Sequence, residues 1–507
     1  MRSILKIAAL LAALSLPLQA FAADDPKPDA AKSDTKTDAK KDKPDLPPFP
    51  ADAHLKQSIA LGGKTLNYTA TVGSLPVRDE DGKKIAEVMF VAYVLDGPRD
   101  PNRPVTFAFN GGPGASSAFL NIGAIGPKRI AFGDRGNAPS DAAVLRDNPG
   151  TWLDFTDLVF IDPVGTGFSR SLMSKDDTNK HFFSIKPDIE YLSRIVYDWL
   201  VKNERLTAPK YVVGESYGGY RAPAIAHELQ TVEGVGVSGI VMVSPALDFR
   251  NSTDPETSPL SWMKTLPSMA AANYERQGKA LNPAQMAEVE TYARTDFALD
   301  LLRGRQDGAA VDRLVSRVSS YTGLPQADVR RVGGRVPVQE YLRELYRDQG
   351  KIGSQYDSNV TAYDPFPWSA ESKAEDPILA GIVAPITSAM VDFITRQAGW
   401  KLEAHYEVLN LDVNSRWEKG WFGTIESATE LRQSLAIDGK LKAIIVHGYD
   451  DLSCPYFGSE IVVSQIPTMG SADRLQVKVY PGGHMFYSRP DSQAAFRRDA
   501  MALYGVR

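Results

Sequence analysis

Lys210-Tyr211-Val212-Val213-Gly214-Glu215-Ser216-Tyr217-Gly218-Gly219 is an apolar strand that runs directly into a glycine-flanked serine, and Ala222 to Gln230 continues with helical character. The pattern G-x-S-x-G in a strand-to-helix setting lifts a serine hydroxyl clear of the backbone, with glycines where side chains would clash. The helix N-terminus behind it favours developing negative charge. Ser216 is therefore the candidate nucleophile. The plainer reading, an ordinary serine in a β-to-α turn, does not account for this setting.

Working outward, short apolar strands alternate with helical stretches. Val105 to Phe109 ends in a glycine-rich turn, Asp157 to Asp162 forms a second strand, and Gly239 to Ser244 follows the serine motif. Ile185 to Val201 has apolar residues at helical spacing. Strand–helix–strand order with fully apolar strands predicts an α/β fold: a mostly parallel central sheet with helices on both faces. Before it, runs such as Leu66 to Thr71 and Val88 to Val94 predict an N-terminal β-meander. After Phe249 the pattern becomes helical, with tracts at Ala284 to Leu302 and Val338 to Asp348, each preceded by a proline suited to a first helical turn. Strand signal returns at Leu441 to Val446 and Leu475 to Tyr480. Residues 250–435 are thus expected to be an inserted, mainly helical cap, dividing a core into 51–249 and 436–507.

The first residues read as an address. Arg2 and Lys6 precede an apolar stretch from Ile7 to about Leu18, and Ala20-Phe21-Ala22 fits a small-x-small cleavage site. The stretch is shorter than the ~20 residues of a membrane span, so 1–22 reads as a signal peptide and the protein as exported, periplasmic or secreted, with no stable membrane span after cleavage. Residues 23–50, rich in Asp, Lys, Ala, Thr and Pro, read as a disordered linker. The single cysteine, Cys454, excludes internal disulfides. Its thiol is either reactive or simply buried, and burial is the commoner fate. With 507 residues, 43% hydrophobic, and a net charge of −5, the chain supports a sizeable core and lacks the basic runs of a nucleic-acid binder.

A nucleophilic serine needs a base and a carboxylate to orient it, and after an elbow of this kind they follow in the order acid, then histidine. Among six histidines, His54, His181, His227 and His405 are poorly placed, and His447 ends a strand. His484, in Pro481-Gly482-Gly483-His484-Met485 after the last predicted strand, is the candidate base. His447-Gly448-Tyr449-Asp450-Asp451 offers two adjacent acids, which spacing alone does not separate. For the oxyanion, Asn110-Gly111-Gly112-Pro113-Gly114 exposes backbone amides at a strand end, and the Gly112 and Tyr217 N–H groups are the natural donors.

Together FNGGPGASS (109–117), DPVGTGFSRS (162–171), GESYGGYRAP (214–223), GYDDLSCP (448–455) and GGHM (482–485) resemble the serine carboxypeptidase family, whose fold is the α/β-hydrolase. The resemblance implies Asp451 as the acid, completing Ser216 and His484. It implies that Asn110, the Gly111 amide and Glu215 bind the peptide's C-terminal carboxylate. Glu215 must then be protonated, since two like charges at hydrogen-bond distance repel, and acidic pH is expected to favour peptidase activity. Two positions depart from the family: its tryptophan is Ala108 here, and a glutamate expected to share a proton with Glu215 is Ala124.

The expected function is release of C-terminal residues from peptide substrates, with no cofactor. The same triad also serves an esterase, an acyltransferase or a proline-releasing aminopeptidase. A catalytically silent binding protein is set against the presence of every triad and oxyanion position. Scattered histidines and a single cysteine offer no metal-ligand pattern, and the glycine turn lacks the Lys-Ser/Thr of a phosphate loop.

Overall fold

A computed structural model describes residues 46–98, 100–130, 138–249, 257–369, 372–418 and 426–506. The expected signal peptide and most of the expected linker lie outside the described residues. The linker's last residues are described: Phe49 packs edge-on against Trp400 at 5.2 Å and lies under the Arg170 guanidinium.

The main strands are β1 (Ala53–Leu61), β2 (Lys64–Arg78), β3 (Lys84–Leu95), β4 (Val105–Phe109), β5 (Asp157–Ile161), β6 (Lys210–Glu215), β7 (Gly239–Val243), β8 (Lys442–Gly448) and β9 (Leu475–Tyr480), with the short strand Arg170–Ser171 pairing to β3. The main strands form one sheet in the order β1-β2-β3-β5-β4-β6-β7-β8-β9. β1 to β3 form the antiparallel meander, β3 meets β5 antiparallel, and every pairing from β5 onward is parallel. The fold is the α/β-hydrolase.

Because side chains alternate across a strand, the apolar central strands feed two cores. Ala108, Val213, Val241, Val243, Ile444 and Val446 share one, and Phe107, Val212, Ile240, Met242 and Ile445 share the other. The second is covered by α1 (Ile185–Lys202) and α2 (Tyr217–Thr231). Helices α3 (Leu260–Arg276), α4 (Pro283–Arg294), α5 (Asp296–Arg303) and α6 (Gly308–Thr322) form a separate cluster around Leu266, Val289, Leu314 and Val318. Their ends are set locally: Asn282 caps α4 with Pro283 at its first position, and Asp307 caps α6. The tract expected as one helix from Ala284 breaks between α4 and α5 at Thr295.

The expected cap is also divided. Helix α7 (Pro377–Val391) buries Ile382 and Ile386 in the first core of the sheet, and α8 (Ala428–Ile437) buries Leu431 and Leu435 in the second. Helices α7 and α8 therefore pack as layers of the hydrolase body, and α3–α6 form the separate cluster of the expected cap. Apolar periodicity fixes which face of a helix is buried but not which partner buries it, so the single cap boundary was not separable in the sequence. The stretch Pro377–Gln397 has a mean hydropathy of 1.8 and is long enough to cross a membrane, and Phe393 and Ile394 at its end are also buried in the core. Helices α9 (Tyr456–Ser464) and α10 (Pro490–Leu503) complete the fold.

Candidate active site

Ser216 sits between β6 and α2 with φ 62° and ψ −122°, a conformation that non-glycine residues rarely adopt. The strain is held by neighbours: the Ser216 N–H donates to the Val243 carbonyl, and the Ser216 carbonyl accepts from Gly219 and Ala246. At Gly214 an added Cβ would collide with the Gly218 carbonyl. The tight turn thus requires glycine there, which is the physical content of the motif.

His484 follows β9, on a turn begun by Gly482 at φ 118°. Its Nδ1 lies 2.7 Å from Oδ2 of Asp451, with Asp451 fully buried and His484 4% exposed. Asp451 is fixed by its own loop, since Oδ1 accepts from the Ser453 and Cys454 amides at 2.8 and 2.9 Å. Burial opposes the charged imidazole, but the charge and hydrogen bond of Asp451, with Glu215 and Asp376 farther out, outweigh it and hold the His484 pKa above its ordinary value. Cys454 follows Asp451 on the same loop, and its side chain neighbours Ser216. Burial, then the charge of Asp451, pushes the Cys454 thiol well up, so the cysteine is a poor nucleophile. Beside it opens a cavity of about 100 Å³ lined by Ala246, Phe249, Leu260, Lys264, Pro455 and Val462.

The rival candidates are placed elsewhere. His447 is fully buried inside β8 with Nε2 2.9 Å from the Ser459 hydroxyl, and burial pushes its pKa down to about 4. Asp450 points away from His484: its carboxyl lies 3.5 Å from Arg489 and faces Glu275 and Asp357. These three carboxyls gather within 4.8 Å of one another, a cluster with no histidine or cysteine, unlike the pattern sought in the sequence. Arg489 pairs with all of them.

The glycine turn of Asn110 to Gly114 lies against the elbow. A Cβ on Gly111 would meet the Tyr217 amide nitrogen and stand 2.8 Å from the Glu215 carbonyl and the Gly218 nitrogen. Tyr217 opens α2, so its N–H has no intrahelical acceptor. Gly112, at φ 97°, follows in the same turn.

Behind Ser216, the Asn110 amide donates to Oε2 of Glu215 at 2.8 Å, and its own Oδ1 accepts from the Leu120 amide at 2.9 Å. Glu215 is 2% exposed. Burial pushes its carboxyl above the ordinary value, against the pull of His484, Tyr487 and Asn110.

Residues 65–294 match the family model described as serine carboxypeptidase. Over this stretch the chain is similar to the serine carboxypeptidases. Serine carboxypeptidase-like 50 of Arabidopsis thaliana is 32% identical over 158 residues, covering 31% of this chain and 32% of that protein. Serine carboxypeptidase 1 of Hordeum vulgare is 30% identical over 148 residues, covering 27% of each. The matched stretch spans about a third of these curated relatives or less. Among solved structures, proline iminopeptidase of Mycobacterium smegmatis aligns with 85% of this chain and 99% of its own at 12% identity, with a TM-score of 0.38.

Against the serine carboxypeptidase pattern, the two departures have definite places. Ala108 is fully buried in β4 beside Phe160 and Val213, within the sheet and away from solvent. Ala124, also buried, offers only a methyl, while its carbonyl accepts from Asn148 and Gln493.

Several contributors had no signal of their own in the sequence. Arg221, in α2, forms a buried pair with Asp188 at 2.7 Å and donates to the Asn110 carbonyl at 2.6 Å, tying the glycine turn to the elbow helix. Asp162 holds the same turn through the Ser117 amide, and burial pushes its carboxyl up to about 6. Both lie inside the motif stretches, where a polar residue in a buried strand–turn segment was the available clue. The Tyr356 ring packs edge-on against His484 at 5.2 Å, and Ser244 donates to the His484 carbonyl. Tyr487 donates to Oε1 of Glu215 at 2.8 Å.

Proposed function

We propose that the protein is a serine carboxypeptidase, releasing C-terminal residues from peptides. The observation that supports this best is the buried Glu215–Asn110 hydrogen bond directly behind the Ser216 elbow. It provides a carboxyl and an amide N–H where a substrate carboxylate would lie, one residue from the nucleophile. In the reaction, Ser216 Oγ attacks the carbonyl carbon of the last peptide bond while His484 accepts its proton. Asp451 holds Nδ1 and steadies the imidazolium, leaving Nε2 for this exchange. The Gly112 and Tyr217 amides take the charge that develops on the carbonyl oxygen. His484 returns the proton to the departing amine, leaving an acyl-enzyme. Water activated by His484 then attacks the ester and regenerates Ser216.

Glu215 binds a carboxylate only when it carries a proton, so peptide cleavage favours acidic pH. Export is part of the same proposal, resting on the composition of residues 1–22. A mature N-terminus at Ala23 by intact mass is the expected result, and retention of residues 1–22 in the secreted protein would contradict it.

The deciding experiment is mass spectrometry of peptides with free and amidated C-termini after incubation with wild-type protein and Ser216→Ala. Loss of C-terminal residues from the free form alone, absent in the variant, is expected. Equal cleavage of both forms would assign the triad to ester or N-terminal chemistry instead.

A further inference from the structure

The carboxyl of Glu215 has one donor on each oxygen: Asn110 Nδ2 on Oε2 and the Tyr487 hydroxyl on Oε1, both at 2.8 Å. The Asn110 amide is fixed in orientation, because its Oδ1 is already occupied by the Leu120 N–H. One hydrogen of Nδ2 therefore points to Glu215 and the other is left for a ligand. Tyr487 is fully buried on the short turn Phe486–Ser488, three residues beyond His484. The turn that presents the catalytic base thus also presents this phenol. Segment Phe119–Ile125, which carries Ala124, packs against the same turn and brings a methyl rather than an acid.

We infer that Tyr487 is the positioning residue of the substrate-carboxylate site, its hydroxyl fixing the plane of Glu215 so that the carboxyl and Asn110 together face the peptide's C-terminus. The inference rests on the carboxypeptidase reading. A phenol differs from a second acid in two respects. It stays protonated throughout the working range, since burial and the charge of Glu215 push it well above its ordinary value. It also donates most strongly when Glu215 is ionised, because hydrogen bonds to charged acceptors are the stronger ones. Glu215 then takes up one proton as a single site instead of sharing it within an acid pair. The other charged groups acting on it are His484, which favours its ionisation, and Asp451, which opposes it. Arg221 acts on the Asn110 carbonyl from α2.

The test is Tyr487→Phe in the full chain. The readout is kcat/KM for one peptide with a free C-terminus divided by that for its C-terminal amide, followed from pH 4.5 to 8. Losing a donor to the ionised carboxyl should move the midpoint of this ratio upward by about one pH unit. KM for the free peptide should rise several-fold while kcat changes less. In a Glu215→Gln background the same substitution should cause no further shift. Should the phenylalanine variant not fold, 3,5-difluorotyrosine at position 487 keeps the shape and strengthens the donor, and the midpoint should move downward. A folded Tyr487→Phe protein with a wild-type midpoint, or a difluorotyrosine protein with an unmoved one, overturns the inference alone. A wild type that cleaves free and amidated peptides equally overturns the carboxypeptidase reading and this inference with it.

Discussion

Asp451 Oδ2 lies 2.7 Å from His484 Nδ1, while Asp450, its neighbour in sequence, turns its carboxyl to Arg489 at 3.5 Å. Two adjacent acids thus serve different structures. Asp451→Asn is expected to lower kcat by about 10⁴-fold, because an amide in that place selects the wrong imidazole tautomer and cannot balance the imidazolium. Asp450→Asn should stay within about tenfold of wild type, since its carboxyl makes no contact with the base. Steady-state kinetics on one peptide distinguishes them, and equal losses would remove the assignment.

Glu215 and His484 bias each other's charge. Ionised Glu215 favours protonated His484, and protonated His484 favours ionised Glu215. In the proposed mechanism catalysis needs neutral His484, so kcat is expected to fall as pH drops through its raised pKa. The proposed peptide binding needs protonated Glu215, so it is expected to weaken as pH rises through that group's raised pKa. The ratio of free to amidated substrate cancels the His484 limb and should decline with increasing pH. Glu215→Gln removes the negative charge beside the base and should shift the acid limb of ester hydrolysis to lower pH. An unchanged pH profile of peptide binding in this variant would exclude Glu215 as the carboxylate receptor.

The second acid cluster makes a prediction about stability. Neither oxygen of Asp450 accepts a hydrogen bond, Arg489 standing off at 3.5 Å, and the residue is fully buried. Burial and the charges of Asp357 and Glu275 push its carboxyl well up, so a retained proton supplies the missing donor to Glu275. Glu275 goes the other way: burial opposes ionisation, but the Arg489 contacts prevail and hold it at about 2. A raised folded-state pKa contributes stability below the unfolded value, about 3.9 for Asp, and loses it as pH rises toward the folded one. Asp450→Asn, which imitates the protonated form, should therefore gain on wild type in urea midpoint as pH rises from 4 to 8. Arg489→Met should cost about 3–5 kcal/mol, because it leaves buried carboxyls without their cation.

The strand-to-helix turn at Ser216, the loop position of His484 and the mostly parallel character of the sheet were legible because each depends on local pattern: apolar strands, a glycine-flanked serine, a glycine turn after a strand; the order of the strands was not. Asp451 was legible only through family resemblance, since adjacent carboxyls differ by the direction of their side chains and not by composition. Tyr487 carried no signal at all, standing in an aromatic pair beside the base whose two rings look alike in sequence. Both rings pack into the core, and only the Tyr487 hydroxyl reaches on to Glu215. Arg221 and Asp188 meet across a separation of 33 residues, which no short-range spacing encodes. Helix α7 had the right periodicity, but the choice between cap and sheet as its partner is a tertiary matter.

Gly111 offers a steric test of the oxyanion turn. Its backbone is not in the left-handed region, so alanine is conformationally permitted there, and the obstacle is space alone. The atoms a methyl would meet are the backbone of Glu215, Tyr217 and Gly218, the elbow itself, which is held by the Val243 and Gly219 hydrogen bonds and cannot yield. The turn must move instead, carrying the Gly112 amide away from the developing oxyanion. Gly111→Ala is expected to reduce kcat by about 10²–10³-fold, the range for losing one such donor, and to slow fluorophosphonate labelling of Ser216. Gly439→Ala, where an added Cβ meets nothing within 4 Å, is the matched control and should match wild type in both assays. A folded Gly111→Ala protein with wild-type kcat would show that the turn does not hold the oxyanion.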